Sequence, residues 1–208
     1  MKINKLDVYY VSMPLIYPWR TAYGSDSSIH SILVKATSGD YSAWSESTPL
    51  YAPTYSPESA GSVFHNVSEI LGPYVINKSF ESPEELNHHL KIFKGNPFAK
   101  AAIEICWWTL QSTIKNIPLH QLLGGQNREV VVGADFGIQD SIDMLITKVD
   151  QAVKKGFPRV KLKVGKGWDY DVIHAVRTTF PNLTFHIDCN GGYTLDDLSF
   201  FKSIDKFE

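Results

Sequence analysis

The fold is decided by the stretch RVKLKV at residues 159–164, which is followed after a gap by TFHID at residues 184–188. Both stretches are short and rich in β-branched or aromatic residues, which is typical of strands. The residues between them, 169–180, are predicted to form a helix, and further helices are predicted at 141–155 and after Thr194. Strands that alternate with helices in this way indicate βα units and a parallel sheet.

The alternation begins after Gly125, with a first strand predicted at the VVV of residues 130–132. Three βα units are too few for a closed barrel, because a complete (β/α)8 barrel needs ~250 residues. Glu208 stands where a fourth strand is expected to begin, so we favour truncation of a larger barrel domain. The alternative is an open three-stranded unit.

The part of the chain before Gly125 predicts a small antiparallel sheet. Apolar runs predict three strands, which lie near residues 3–11, 32–34 and 41–44. The turn residues SGD at 38–40 join the second and third strands as a hairpin. The segment PWRTAYG at residues 18–24 is predicted to be a loop, because it is too polar for a strand.

Three helices are predicted to follow this sheet. The first has an N-cap at Ser56, a proline at its first position and a stop at Gly72–Pro73. The second starts with the capping box SPEE at residues 82–85, and the third runs from about Phe98 to Ile114. The predicted organisation is therefore an α+β domain at residues 1–125 and a partial (β/α) barrel domain at residues 126–208.

The composition excludes several classes of protein. The chain is 43% hydrophobic and 20% charged, with a net charge of -2 and a pI near 6.4. No cluster of basic residues with aromatic platforms predicts a nucleic-acid partner, and no apolar run approaches the roughly 18 residues of a membrane span. The two cysteines form no disulfide framework. These features predict a soluble, cytoplasmic protein that binds neither nucleic acid nor membrane.

Two lysines in the stretch at 159–164 are candidates for catalysis. Lys161 and Lys163 alternate with apolar residues, so the lysines share the face of the strand that points away from the helices. Two ammonium groups ~7 Å apart on a buried face lower each other's pKa. A lowered lysine pKa is what a proton-abstracting base requires. The alternative is a half-exposed strand whose lysines are solvated.

A carboxylate follows on the next strand. Asp188 ends the stretch at 184–188, at the edge where parallel barrels build their active sites, and Asn190 comes two residues later. A carboxylate at this edge is a suitable ligand for Mg²⁺. The alternative is a polar turn between strand and helix. His186 lies on the same face and is predicted to be a packed neighbour rather than a metal ligand.

These features together resemble the enolase superfamily, muconate-lactonizing branch. The resemblance runs nearly end to end and is carried by five segments: PWRTAYG at 18–24, FAKAAIE with WW at 98–108, PLHQLLGG at 118–125, KLKVGKGWD at 161–169 and DCNGGYTL at 188–195. Within the superfamily, the last two segments are similar to those of o-succinylbenzoate synthases and the related N-succinylamino acid racemases.

The resemblance implies an α/β fold, in which an α+β capping domain precedes the first three βα units of a TIM-like (β/α)7β barrel. It implies Lys163 as the catalytic base, Lys161 as a second catalytic group and Asp188 as a metal ligand. The cofactor implied is Mg²⁺, with Mn²⁺ as the alternative. Two further metal ligands and a second catalytic lysine of the family are expected beyond Glu208.

Six other residues are implied as contacts of the substrate, a small-molecule carboxylate: Arg20, Trp19, Tyr23, Tyr55, Asp135 and Asn190. Asp135 stands where a small hydroxyl residue is expected. Cys189 and Gly191–Gly192 also depart from the residues usual around the metal-binding aspartate. A homo-oligomer is expected from the resemblance.

The activity that the resemblance implies is abstraction of a proton α to a carboxylate followed by dehydration, as in the o-succinylbenzoate synthases of menaquinone biosynthesis. An N-acylamino acid racemase or dipeptide epimerase is the alternative, because it shares the first proton abstraction. The non-enzymatic alternative is an incomplete fragment or binding module, and the 208-residue segment alone is expected to be inactive.

Overall fold

The computed structural model describes residues 1–126 and 129–207, which form two compact units. One unit contains Met1–Pro14 and Ser28–Asn127, and the other contains Leu15–Ser27 and Arg128–Glu208. Residues 15–27, the tip of a long β-hairpin, therefore belong to the second unit. Within the described part of the chain, no helix combines the length and apolar character needed to cross a membrane.

The antiparallel sheet has three strands in the order β1-β2-β3: β1 is Lys5–Thr21, β2 is Gly24–Ser38 and β3 is Tyr41–Ser47. The predicted hairpin between β2 and β3 is confirmed, because Ser38 pairs with Tyr41 across a two-residue turn. Gly39 in that turn has φ +55°, a conformation that glycine adopts without strain. Alternate residues of β2 are buried in the core: Ile32, Val34 and Ala36.

The loop predicted at residues 18–24 is wrong. β1 continues to Thr21, and the turn into β2 is formed by Ala22 and Tyr23 alone. A strand is held by backbone hydrogen bonds to its neighbour, so the polarity of its side chains does not prevent pairing at an exposed hairpin. Aromatic residues such as Trp19 in fact favour strands.

The described residues of the first unit form five α-helices and one π-helical segment: α1 is Ala60–His65, the π-helix is Asn66–Leu71, α2 is Gly72–Val75, α3 is Pro83–Leu90, α4 is Pro97–Lys115 and α5 is Leu119–Leu122. The third predicted helix is confirmed as α4. At α3, Ser82 caps the helix as predicted, but the Glu85 carboxylate accepts from the N–H of Glu81 and does not complete the box.

Both predicted ends of the first helix are wrong. The helix begins after Ser59, whose hydroxyl accepts from the N–H of Ser62. It does not stop at Gly72–Pro73. The Gly72 N–H donates to the carbonyl oxygen of Val67 in the π-helical turn, and the chain continues into α2. A proline is tolerated at the first position of a helical turn, where its missing N–H has no partner to lose.

Glu58 lies within the predicted first helix, but in the structure it precedes α1 and caps α4. Glu58 is 4% exposed, and its carboxylate accepts hydrogen bonds from the backbone N–H groups of Phe98 (2.8 Å) and Ala99 (3.1 Å). Asn96, the N-cap residue of α4, makes no side-chain capping bond. The buried carboxylate therefore satisfies two of the N–H groups that the start of a helix leaves without partners.

The second unit contains a parallel sheet of three strands in the order β4-β5-β6, with β4 at Ala134–Phe136, β5 at Arg159–Lys163 and β6 at Thr184–Asp188. Its helices are α6 at Ile142–Lys154, α7 at Tyr170–Thr179 and α8 at Leu198–Ile204, with 3-10 turns at Leu195–Asp197 and Asp205–Phe207. The predicted fold class is confirmed by this parallel sheet and the antiparallel one.

The strand predicted at residues 130–132 is wrong, since these three valines are more than half exposed and lie before β4. Ala134 pairs with Val160, so the same register would place Val132 opposite Pro158. Proline has no N–H to donate to a ladder. The parallel pairing therefore begins only after Pro158.

The predicted faces of β5 are confirmed. Val160 and Leu162 are buried in a cluster with residues of α6 and α7, including Leu145, Val149 and Val176. The two lysines of β5 consequently lie on the opposite face of the sheet.

Candidate active site

The parallel register places four charged residues side by side near the carboxyl ends of the strands. Asp135 of β4 is paired with Lys161 of β5, and Lys163 of β5 is paired with Asp188 of β6. Because side chains alternate along each strand, all four lie on the face away from the helices. His186, which was predicted to be packed, is paired with Lys161 but is exposed.

Both lysines contact the same oxygen of Asp188. Lys163 Nζ lies 2.7 Å from Asp188 Oδ2, and Lys161 Nζ lies 3.6 Å from it. Lys161 has a closer partner in Asp135, whose Oδ2 is 2.8 Å away. The side chain of Lys163 is 9% exposed, whereas the other three are exposed by about a third. The site is thus an alternating set of two ammonium groups and two carboxylates.

The pKa of Lys161 is raised, which contradicts the expectation that the lysine pair lowers it. The hydrogen bond to Asp135 is the main cause; burial opposes the shift, and the negative charges of Asp135 and Asp188 add to it. The two carboxylates together outweigh the effect of burial. Lys161 is therefore a stable cation.

The pKa of Asp188 is lowered. Burial acts to raise it, but the hydrogen bonds from Lys163 and the backbone N–H of Asn190, together with the charges of both lysines, have the greater combined effect. Asp188 is consequently held as an anion at the end of β6.

Asn190 donates a backbone hydrogen bond to Asp188 and has a side-chain oxygen without a hydrogen-bond partner among the described residues. Its backbone has φ +46°, and its N–H donates to Asp188 Oδ1 at 3.0 Å. Its side-chain Oδ1 is buried and has no hydrogen-bond partner in the described part of the chain. Such an orphaned acceptor is costly unless something binds it.

These oxygens fit part of the coordination of a hard divalent cation. Mg²⁺ prefers oxygen ligands and uses one or two carboxylates together with other oxygens, and here the donors are the Asp188 carboxylate and Asn190 Oδ1. Within residues 1–126 and 129–207, no group of three or more His, Cys, Asp or Glu side chains is arranged to hold a metal ion. The described residues therefore provide some, but not all, of the ligands of such a site.

The hairpin tip lies against the loops that follow the strands of the second unit. The Arg20 guanidinium forms an ion pair with Asp140, and the Arg20 carbonyl accepts from the N–H of Ile138 at 3.0 Å. Ala22 packs against Gly165, after β5, and against Gly192, after β6. A Cβ at position 192 would lie 2.7 Å from the Ala22 Cβ. Glycine is thus required there by close approach of the hairpin.

The remaining predicted substrate contacts are placed as follows. Trp19 lines a cavity of about 300 Å³ together with Asp135. Tyr23 is half-buried in the hairpin turn, in the same unit. Tyr55 belongs to the first unit, where it is exposed. The structure thus brings Lys161, Lys163, Asp188 and Asp135 into direct contact, with Asn190 bound to Asp188.

Sequence reasoning missed a set of polar contacts around this site. The Tyr193 hydroxyl donates to Asp169 Oδ2 at 3.0 Å, and burial together with this bond raises the pKa of Tyr193 well above its usual value. Lys166 lies 2.8 Å from Asp197. Both contacts join the loop after β5 to the loop after β6. The predicted strand order could have indicated these contacts, because loops that follow adjacent parallel strands meet at one edge of the sheet.

Comparison with known proteins gives the family. Residues 5–124, more than half of the chain, match the family model described as the mandelate racemase/muconate lactonizing enzyme N-terminal domain. The chain belongs to this family. The resemblance to the enolase superfamily that the sequence motifs carry is thereby confirmed.

Curated relatives match along the whole chain. The o-succinylbenzoate synthase of Geobacillus kaustophilus is 35% identical over 100% of this chain and 56% of its own length. The N-succinylamino acid racemase of Thermus thermophilus is 31% identical over 99% of this chain and 56% of its own length. The chain therefore spans a little over half the length of these relatives.

Solved structures show the same fold for this family member. An enolase superfamily member from Listeria innocua gives a TM-score of 0.91 at 27% identity, covering 100% of this chain and 56% of its own. A dipeptide epimerase from Enterococcus faecalis, solved in complex with Mg and the dipeptide L-Leu-L-Tyr, gives a TM-score of 0.89 at 26% identity and covers 100% of this chain and 59% of its own.

Proposed function

We propose that the complete protein carrying this chain abstracts a proton α to a carboxylate and then eliminates hydroxide, as an o-succinylbenzoate synthase. The observation that carries the proposal is the convergence of Lys161 and Lys163 on Asp188 Oδ2, at 3.6 and 2.7 Å. These groups lie at the carboxyl ends of parallel strands, where the catalytic groups of barrel enzymes are found.

Lys163 is the proposed base. It is the last residue of β5 and is the more buried of the two lysines, and it lies beside Asp188, where the carboxylate group of a substrate would be held. In its neutral form, the Nζ atom accepts the α-proton, and the electron pair of the broken C–H bond moves toward the substrate carboxylate. Loss of hydroxide from the neighbouring carbon completes the elimination.

Lys161 is the proposed electrostatic partner. Its raised pKa keeps it protonated, so it presents a fixed positive charge to the carboxylate oxygens, which gain negative charge as the α-proton leaves. Preorganised charge of this kind stabilises the transition state without reorganisation at the moment of reaction. The two lysines therefore have different functions despite their identical chemistry.

Mg²⁺ is the proposed cofactor, with Mn²⁺ as its alternative, and Asp188 is its proposed ligand in this chain. A divalent cation there would supply further positive charge to the developing enediolate, and it would replace ammonium as the partner of Asp188 Oδ2. The family resemblance implies two further carboxylate ligands and a second catalytic lysine on later strands.

The proposed substrate is a small carboxylate. Trp19, Arg20, Tyr23, Tyr55, Asp135 and Asn190 are its proposed contacts. The proposed domains remain residues 1–125 as the capping domain and 126–208 as the beginning of the barrel, and we propose a homo-oligomer in the cytoplasm.

A racemase or epimerase of N-acylamino acids or dipeptides is a second candidate, because synthases and racemases match this chain at 35% and 31% identity. A fragment without activity is the non-enzymatic alternative.

The test is exchange of the α-proton with deuterium from ²H₂O, measured in the complete protein with a synthase substrate and with an N-succinylamino acid. Lys163→Ala should reduce exchange by a factor of about 10² to 10⁴, the usual contribution of a general base. Lys161→Arg should be slowed but active, because guanidinium keeps the charge but is planar and larger. Lys154→Ala, on the exposed face of α6, is the matched control. Exchange at the wild-type rate in Lys163→Ala would show that another group is the base.

A further inference from the structure

Asp135 determines where Lys161 lies. The Lys161 ammonium is 2.8 Å from Asp135 Oδ2 but 3.6 Å from Asp188 Oδ2. Lys163 is the close partner of Asp188, at 2.7 Å. Each lysine therefore has one carboxylate of its own, and Lys161 contacts Asp188 only at the outer limit of an ion pair.

The four charges balance only because Asp135 is present. With it, two ammonium groups face two carboxylates; without it, both ammonium groups would face Asp188 alone. Among the ion pairs of the described residues, Lys161 has no acidic partner other than these two. On loss of Asp135, Lys161 would therefore be attracted toward Asp188 Oδ2.

We propose that Asp135 is a positioning residue, which holds Lys161 away from Asp188 and so leaves Lys163 as the one ammonium group that a divalent cation must displace from Asp188 Oδ2. An ammonium group and a metal ion compete for the same carboxylate oxygen, since each is attracted by the same charge. The proposal rests on the proposed function, from which the cation is taken. It concerns a residue that departs from the small hydroxyl expected at this position.

The experiment measures cation affinity directly, without substrate and without turnover. Binding of Mn²⁺ to the complete protein is followed by the loss of the free-ion EPR signal, and Mg²⁺ is measured by competition. Asp135→Asn should weaken Mn²⁺ affinity on the order of tenfold, since it releases Lys161 to compete with the cation for Asp188 Oδ2. Asp135→Glu, which restores the carboxylate, should recover most of that loss.

A second background separates positioning from simple charge. If Asp135 acts through Lys161, then Asp135→Asn should change Mn²⁺ affinity little once Lys161 is replaced by methionine. A nonzero interaction between the two substitutions is the signature of such coupling. An equal loss in both backgrounds, or no loss in either, would overturn the proposal.

Three further variants and a measurement of thermal unfolding keep the result interpretable. Asp135→Ser introduces the small hydroxyl residue and should weaken Mn²⁺ binding as Asp135→Asn does, and thermal unfolding shows which variants are folded. Lys161→Met alone should bind Mn²⁺ no more weakly than the wild type; weaker binding would contradict competition by Lys161. If Asp188→Asn bound Mn²⁺ as well as the wild type, Asp188 would not be a metal ligand. That outcome would contradict the proposed function, whereas the Asp135 variants test only the positioning of Lys161.

Discussion

Asp188 is the residue on which the candidate site depends, because it accepts hydrogen bonds from Lys163 and the Asn190 backbone and forms an ion pair with Lys161. The lowered pKa of Asp188 predicts how the stability of the fold depends on pH. A carboxylate whose pKa is lower in the folded state stabilises the fold at pH values above its unfolded pKa, and this contribution is lost as the pH falls through the folded value.

We therefore expect the metal-free wild type to lose stability relative to Asp188→Asn as the pH falls below about 4, the ordinary pKa of an aspartate. The measurement is the free energy of unfolding by urea between pH 6 and pH 2 for both proteins. Parallel curves over this range would show that Asp188 is not held by its lysine partners.

Glu58 gives a second prediction at the scale of a residue. Its buried carboxylate accepts hydrogen bonds from two N–H groups at the start of α4, so Glu58→Gln should lower the free energy of unfolding by about 1.5–3 kcal/mol, the value of hydrogen bonds to a charged group. Urea denaturation measures the loss. Glu69→Gln, on an exposed face of the π-helix, is the control and should be nearly neutral.

These two acidic residues show what sequence could and could not provide. Lys161, Lys163 and Asp188 were placed on one face from strand alternation alone, which depends only on neighbouring residues. The function of Glu58 depends on a helix 40 residues away, and no local pattern contains that information. The Asp135–Lys161 contact similarly depends on the register between two strands, which no local pattern contains, and the strand predicted at the valines left Asp135 outside the sheet.

The hairpin tip carries the prediction at the scale of an element. Gly192→Ala should place its Cβ 2.7 Å from the Ala22 Cβ and destabilise the protein by about 1–3 kcal/mol through overpacking. The double variant with Ala22→Gly should recover most of the loss. Gly61→Ala, where a Cβ meets no atom within 4 Å, is the control. Equal stability of Gly192→Ala and wild type would show that the tip does not pack as described.

Elements with strong local signals were predicted well. The helices α4, α6 and α7 and the strands β5 and β6 agree with prediction to within one or two residues, because apolar periodicity and caps define them. Three strands were misjudged for reasons outside local composition. β1 and β2 both continue into the hairpin through backbone pairing, and β4 is delimited by Pro158 on its neighbour.

At the scale of the whole molecule, the described residues offer a divalent cation one aspartate flanked by two lysines. We expect the isolated 208-residue chain to show no saturable Mg²⁺ binding below about 1 mM, since one carboxylate seldom holds Mg²⁺ against water. Isothermal titration calorimetry measures this, with Asp188→Asn as the matched control. Tight binding by the isolated chain would show that it contains ligands in addition to Asp188 and Asn190.

The contact of Ala22 with Gly165 and Gly192 has a consequence for how this family can diverge. Positions 22, 165 and 192 are far apart in sequence, yet their side-chain volumes share one limited space. A relative with a larger residue at position 192 should compensate with glycine at position 22 or with a hairpin of different length. Substitutions at these three positions should therefore be correlated among relatives. They should occur together with changes in hairpin length more often than with substitutions of Lys161 or Lys163.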